Sequence, residues 1–145
     1  MSHTAEIIAV GTELLLGNIV NTNARDISQA LSAVGVNVFW HTVVGDNPQR
    51  LKEALDVARR RADIIITTGG LGPTYDDLTK QTICEAFGKP LVPHQDILDG
   101  LKVFFEKNVH MQIPSNNLQQ AELPGDCTVF DKPVGTAPSC ASAAD

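Results

Sequence analysis

Four acidic side chains, each in a turn that begins with glycine, are the residues of this sequence best suited to chemistry; they are Glu13, Asp46, Asp76 and Asp77. Carboxylate oxygens bind Mg²⁺-like ions, which bridge and neutralise phosphoryl oxygens. Glycine lets the backbone approach a phosphate closely, and the N–H groups at a helix start can hold its charge. Together these elements predict a site for a phosphate-bearing small molecule, and they are compatible with metal-assisted attack at phosphorus.

Three short apolar runs are predicted to be strands, and each ends just before one of these turns. They span residues 6–10, 36–44 and 62–68. Helical spacing over residues 21–34, and the N-cap and proline pair at Asn47 and Pro48, predict a helix after each of the first two strands. This alternation predicts a parallel sheet covered on both faces, so the carboxyl ends of its strands share one edge. We expect the four acidic residues on that edge.

The second half of the chain is predicted to be mostly helical. The predicted helices span residues 79–87, 96–107 and 115–121, and a short strand spans residues 127–130. In the first of these helices Ile83, Ala86 and Phe87 are expected to face inward. No internal repeat and no linker rich in glycine or proline divides the chain, which predicts one domain.

The composition is that of an acidic globular chain of 145 residues. Acidic side chains outnumber basic ones by 17 to 11, and the net charge of −6 argues against nucleic acid as the partner. The apolar runs are far shorter than the ~20 residues of a membrane helix, and the first residues lack the features of a secretory signal. Three widely spaced cysteines without a CxxC pair indicate reduced thiols in a cytoplasmic protein that does not bind a membrane.

These polar residues also have structural interpretations. Asn47 is typical of a helix N-cap, and Asp77 is placed to cap the helix predicted from Thr79. For Asp77 the capping and the functional interpretation both stay open. The glycine segment at residues 69–72 matches neither the GxGxxG of dinucleotide-binding folds nor a P-loop, and no histidine pair has the spacing of a zinc site.

Four segments occur in an order that is typical of one protein family. They read AVGTELLLGNIVNTN at residues 9–23, TVVGDN at 42–47, TGGLGPTYDDLT at 68–79 and PVGTAP at 133–138. On these motifs the chain resembles the N-terminal domain of the CinA family, competence/damage-inducible protein A, within the molybdopterin-binding MogA/MoaB-like superfamily. The resemblance covers residues 5 to about 138.

The resemblance implies an α/β fold, a three-layer α/β/α sandwich with a mostly parallel sheet. It implies a metal-dependent pyrophosphatase that hydrolyses ADP-ribose to AMP and ribose 5-phosphate, with Mg²⁺, Mn²⁺ or Co²⁺ as the divalent ion. Two alternatives stay open: a module that binds molybdopterin or a nucleotide without turnover, and an enzyme that adenylylates molybdopterin. The family also implies a homo-oligomer.

The motifs carry site residues over to this chain. Asp77 matches the aspartate of the superfamily's GGTGxxxxDxT loop, Asp46 its second acidic position, and Glu13 the acid of GDE in related proteins. We therefore expect Asp46 and Asp77 to be catalytic, and the predicted metal ligands are Glu13, Asp46, Asp76 and Asp77. The predicted substrate-binding residues are Gly11, Thr12, Asn21, Asn23, Gly69, Gly70, Gly72, Thr74 and Tyr75, the last placed to stack on a base or pterin ring.

Two departures from the family pattern concern the end of the sequence. CinA-family proteins commonly carry a second domain, a nicotinamide mononucleotide deamidase, and nothing in these residues corresponds to it. After Pro138 the family continues through a glycine and an apolar strand, whereas this chain reads SCASAAD. We therefore assign residues 1–138 to one domain and 139–145 to an irregular tail without a strand, and we expect the domain to be cut short there.

Overall fold

The computed structural model describes residues 2–130 and 135–144, so the motif at residues 133–138 and the tail at residues 139–145 lie partly outside the described residues. The chain forms two compact units, Met1–Gly70 and Leu71–Asp145. The prediction of one domain over residues 1–138 stays a prediction. Over the described ranges, every helix is too short or too polar to cross a membrane.

The first unit is built on a three-stranded parallel sheet. Its strands are β1 (Thr4–Val10), β2 (Asn37–Val44) and β3 (Ile64–Thr68), and its helices are α1 (Thr12–Leu15), α2 (Thr22–Ala33) and α3 (Pro48–Ala58). β1 lies in the centre and pairs in parallel with both neighbours. The connections from β1 to β2 and from β2 to β3 run in opposite directions across the sheet. Because such parallel connections are right-handed as a rule, α2 and α3 are expected on opposite faces of it. The predicted α/β fold with a parallel sheet is confirmed.

The core of the first unit lies around β1. Ile7 and Ile8 point to opposite faces of the sheet and both are fully buried. Leu51 and Leu55 of α3 are buried at the helical spacing that the sequence predicts. Among the described residues β3 lies at an edge of this sheet, where it pairs with β1, and its five residues are half-buried.

The helix boundaries of the first unit follow from local sequence. The Asn21 side chain accepts a hydrogen bond from the Ala24 N–H and caps α2, and Gly35 follows the helix with a φ of 79°. Asn47 caps α3 in the same way, and Pro48 occupies its first position. Proline suits the first helical position because a backbone N–H there would find no acceptor within the helix, and proline has none. Glycine suits the position after the helix because it adopts positive φ without steric cost from a Cβ. Both predicted helices are confirmed.

The second unit consists of helices and two antiparallel strand pairs. Its helices are α4 (Thr79–Ala86) and α5 (Gln95–Phe104), followed by a π-helical turn (Phe105–Val109) and a 3₁₀ helix (Ser115–Ala121). One strand pair joins β4 (Leu91–Pro93) to β5 (Glu122–Pro124), and the other joins β6 (Thr128–Phe130) to β7 (Ser139–Ala141).

Three predictions for this unit need correction. The tail is not irregular throughout, because Ser139–Ala141 forms β7 with Cys140 opposite Val129; pairing of this kind uses backbone groups and needs no apolar run. In α4 the buried residues are Thr79, Thr82 and Cys84, whereas the three residues expected to face inward are half-buried. The helix predicted to end at residue 107 leaves α-helical geometry at Phe104.

Candidate functional site

Three turns leave the sheet of the first unit at its carboxyl edge. They begin at Gly11, Gly45 and Gly69, directly after β1, β2 and β3. The Gly11 N–H donates to the Val44 carbonyl at 2.8 Å, which ties the first turn to the end of β2. Ligands of open parallel sheets bind at this edge. The predicted edge therefore exists in the first unit, and Asp46 lies on it.

Thr12 and Asp46 are joined by two reciprocal hydrogen bonds. The Thr12 N–H donates to Asp46 Oδ2 at 2.9 Å, and the Asp46 N–H donates to Thr12 Oγ1 at 3.1 Å. The carboxylate thus satisfies an N–H group at the start of α1 that has no acceptor inside its own helix. Asp46 Oδ1 accepts no hydrogen bond from residues 2–130 or 135–144, so one carboxylate oxygen remains available at the exposed edge.

The Glu13 carboxylate folds back over Gly11. A Cβ at Gly11 would lie 2.5 Å from Glu13 Oε1, so a side chain there would displace the carboxylate. In the part of the chain that the structure describes, no three His, Cys, Asp or Glu side chains are grouped as a metal site. The predicted ligand set of Glu13, Asp46, Asp76 and Asp77 stays a prediction.

The two predicted binding asparagines have structural partners. Asn21 caps α2, as its spacing before the helix allows. Asn23 Nδ2 donates to Thr68 Oγ1 at 2.9 Å and joins the first turn of α2 to the last residue of β3. Sequence analysis missed Thr68; its position immediately before the glycine turn is the signal that could have found it.

Gly69 and Gly70 turn the chain away from β3 in left-handed backbone geometry. Their φ angles are 90° and 62°. A Cβ on Gly69 would lie only 2.1 Å from the Val10 carbonyl oxygen. Glycine at position 69 is thus required by the approach of β1, a structural reason that is independent of any ligand.

The remaining predicted residues belong to the second unit, where Asp77 organises its own loop. Asp77 Oδ2 accepts hydrogen bonds from the Thr74 N–H at 2.8 Å and from the Thr74 hydroxyl. A Cβ on Gly72 would lie 2.6 Å from the same oxygen. Tyr75 and Asp76 are exposed, Tyr75 to 92%. Gly72, Thr74 and Asp77 are therefore brought together.

Asp77 does not cap α4. The residue before the helix is Leu78, and no side chain hydrogen-bonds to the first turn. The capping interpretation is wrong because the carboxylate is already bonded to Thr74 within the loop. Burial raises the pKa of Asp77, but the hydrogen bonds from Thr74 and the Gly72 N–H outweigh it, so the pKa is lowered overall. The carboxylate is therefore ionised at neutral pH.

A buried ion pair, which sequence analysis missed, lies deeper in the first unit. Glu6, in the middle of β1, is fully buried. Its carboxylate accepts two hydrogen bonds from Arg61, both at 2.7 Å, and one from the Thr42 hydroxyl at 2.6 Å. The Arg61 guanidinium also lies 4.7 Å from the centre of the Trp40 ring. A charged residue inside an apolar strand was the available signal.

A cavity of about 350 Å³ opens beside this ion pair. It lies between β2 and α3, and Glu6, Thr42 and Arg61 line its inner end. None of the predicted catalytic or substrate-binding residues lines this cavity, although Gly45 lies on its wall. The cavity of the first unit and the polar edge of its sheet are therefore neighbouring but separate features.

Sequence comparison relates the chain to a known family. A profile described as a probable molybdopterin binding domain matches residues 6–144. A protein of Acetivibrio thermocellus, provisionally named competence-damage inducible protein, is 54% identical over 136 residues, covering 94% of this chain and 33% of that protein. A relative of the same name from Caldicellulosiruptor saccharolyticus is 51% identical over 134 residues, covering 92% and 32%. The chain spans about a third of the length of these relatives.

Structure comparison gives a consistent result. The crystal structure of CinA from Thermoplasma acidophilum is similar with a TM-score of 0.84 and 34% identity, over 96% of this chain and 80% of that one. The molybdopterin biosynthesis enzyme MoaB from Thermus thermophilus has a TM-score of 0.57 and 20% identity, over 84% and 79%. At that identity the second likeness is one of fold alone.

Proposed function

We propose that this chain, which belongs to the CinA family, hydrolyses ADP-ribose to AMP and ribose 5-phosphate. The chain corresponds to the N-terminal, molybdopterin-binding-like domain of that family. The family and the fold are established by the matches above. The substrate and the reaction are the proposal, which follows the resemblance of the GTELLLG, GDN and GGLGPTYDD segments. A cytoplasmic location and self-association stay predictions.

The observation that carries the proposal is the Thr12–Asp46 pair at the carboxyl edge of the sheet. In this pair the Thr12 N–H holds Oδ2 of the exposed Asp46 carboxylate, and Oδ1 remains available beside the turn at Gly11. A carboxylate held in this way can accept a hydrogen bond from a water molecule and orient it toward an electrophile.

The reaction consumes one water molecule for each pyrophosphate cleaved. The water oxygen forms a bond to one phosphorus, and the bond from that phosphorus to the bridging oxygen breaks. The bridging oxygen leaves with the other phosphate, and the water proton passes to the carboxylate and then to solvent. We assign orientation of the water to Asp46. Asp77, ionised and held by Thr74, is the second proposed catalytic residue.

A divalent ion is the predicted cofactor of this reaction. When bound, such an ion neutralises the charge that builds on phosphoryl oxygens. Among the described residues no three His, Cys, Asp or Glu side chains are grouped as ligands, so the hydrolysis is written with the residues of this chain alone. Dependence on Mg²⁺, Mn²⁺ or Co²⁺ is measured directly in the assay, with EDTA as the comparison.

The deciding experiment is incubation with ADP-ribose and chromatography of the products. We expect AMP and ribose 5-phosphate in equal amounts, and at least about a hundredfold less of both with Asp46→Asn. Asp56→Asn, which changes an exposed carboxylate on the outer part of α3, is the matched control and should keep wild-type activity. Turnover by Asp46→Asn equal to that of the wild type would remove Asp46 from the mechanism. No AMP under any of the metal conditions would refute the proposed hydrolysis.

A second candidate is a module that binds molybdopterin without turnover. The specific observation in its favour is the match of residues 6–144 to a probable molybdopterin binding domain. Calorimetric titration with molybdopterin distinguishes the two. Tight binding together with no hydrolysis of ADP-ribose would support the module, and adenylylated molybdopterin formed from ATP would indicate a transferase.

A further inference from the structure

Thr12 is predicted from its position to bind substrate, but both of its polar groups already have partners. Its N–H, the donor that would approach a phosphate, donates to Asp46 Oδ2. Its hydroxyl oxygen accepts the Asp46 N–H. A ligand phosphate at Thr12 would have to displace a carboxylate from that N–H. The bonding of Thr12 therefore indicates a task directed at Asp46.

The two hydrogen bonds hold Asp46 at both ends. One fixes carboxylate oxygen Oδ2 at 2.9 Å, and the other fixes the backbone N–H at 3.1 Å. Only the Cα, Cβ and Cγ atoms lie between these points, so the two side-chain torsions lose most of their freedom. Asp46 is exposed, so no close packing restricts its rotamer. The direction of Oδ1 is thus set by Thr12.

The turn that carries Thr12 is itself anchored. The adjacent Gly11 N–H donates to the Val44 carbonyl at 2.8 Å, at the end of the strand that leads to Asp46. Three hydrogen bonds between neighbouring residues therefore join the turn after β1 to the turn after β2. An anchored partner can hold a carboxylate in one direction, whereas a mobile one would move with it.

We propose that Thr12 is a positioning residue, which fixes the Asp46 backbone through its hydroxyl and the Asp46 carboxylate through its own N–H, and does not bind substrate. The kinetic part of this proposal rests on the proposed hydrolysis of ADP-ribose. The structural part, that the Thr12 hydroxyl holds the backbone N–H of Asp46, is independent of any substrate.

The kinetic test compares Thr12→Val with Thr12→Ser. Valine keeps the shape and the backbone N–H but lacks the acceptor oxygen, whereas serine retains it. We expect Thr12→Val to lower kcat about 10- to 100-fold with KM changed less than about twofold, because misplacing a reacting group costs rate and not affinity. Thr12→Ser should stay within about threefold of wild type. A raised KM with unchanged kcat would show that Thr12 binds substrate and would overturn the proposal.

A second measurement separates this proposal from the proposed function. Amide hydrogen exchange of Asp46, followed by NMR, should be about tenfold faster in Thr12→Val than in wild type and unchanged in Thr12→Ser. Unchanged exchange in Thr12→Val would overturn the positioning role whether or not ADP-ribose is hydrolysed. If hydrolysis occurs, Thr12→Val in an Asp46→Asn background should lower kcat no further. A further loss would show that Thr12 acts other than through Asp46.

Discussion

Gly69→Ala introduces a methyl group where the backbone leaves no room for one. Its Cβ would lie 2.1 Å from the Val10 oxygen and 3.1 Å from the Val10 carbonyl carbon. Both are backbone atoms, so no side-chain rotation relieves the contact and either the end of β1 or the turn must move. The φ of 90° adds the cost of left-handed geometry, about 1–2 kcal/mol, to an overpacking cost of about 1–3 kcal/mol. We expect the free energy of unfolding to fall by about 2–5 kcal/mol.

Gly35→Ala is the matched control within the first unit. Gly35 has a φ of 79°, close to that of Gly69, but a Cβ there would meet no atom within 4 Å. This variant therefore bears the cost of left-handed geometry alone, about 1–2 kcal/mol. The difference between the two variants isolates the contact with Val10.

The assay is urea unfolding followed by fluorescence of Trp40, the single tryptophan, which lies on β2 of the same unit. If both variants keep the wild-type m-value, the shift in midpoint reports stability directly. We expect the midpoint of Gly69→Ala to fall clearly below that of Gly35→Ala. Equal midpoints would mean that the turn relaxes without cost, and the inferred approach of β1 to Gly69 would be wrong.

Three further outcomes are expected. Asp77→Asn should lower kcat/KM for ADP-ribose at least about a hundredfold and leave the thermal midpoint unchanged. The amide oxygen can still accept the hydrogen bonds from Thr74, whereas the negative charge is lost. Equal loss of activity and stability would indicate a structural role. Burial raises the pKa of Glu6, but the hydrogen bonds from Arg61 and Thr42 and the charge of Arg61 outweigh it, so the pKa of Glu6 is lowered overall. The ionised Glu6 therefore stabilises the fold above the unfolded pKa of about 4.3, and this contribution is lost as the pH falls through the lower folded pKa. Urea midpoints from about pH 7 to about pH 3 should therefore fall more steeply for wild type than for Glu6→Gln, and parallel profiles would contradict this. Asn23→Ala should cost about 1 kcal/mol or less in urea unfolding, through loss of one exposed hydrogen bond, and a larger loss would point to further contacts.

The features that the sequence predicted well are local in the chain. Asn21 and Gly35 mark the two ends of α2, and Asn47 and Pro48 mark the start of α3. Such end signals could be predicted because a cap interacts with residues only three or four positions away. The parallel direction of the strands followed from the helical connections between them. These signals fix where elements begin and how they connect.

The features that it missed depend on residues far apart in the chain. The bonds between Thr12 and Asp46 span 34 positions, and their geometry exists only once β1 and β2 are paired. β7 was missed because strand pairing is decided by the partner strand and not by apolar content. Of the two interpretations left open for Asp77, helix capping was wrong. A carboxylate before a helix can bond either to the helix or to its own loop, and Thr74 decides between them.

The central position of β1 governs the order in which the first unit can be made. Its two neighbours come later in the sequence, β2 about 30 residues on and β3 about 60, so the strand cannot be enclosed on both sides until Thr68 has been synthesised. At about 5–20 residues per second, the edge of β1 that pairs with β3 stays unpaired for roughly 3–12 s. During synthesis the backbone N–H and C=O groups on this edge of β1 therefore lack their strand partners until β3 arrives.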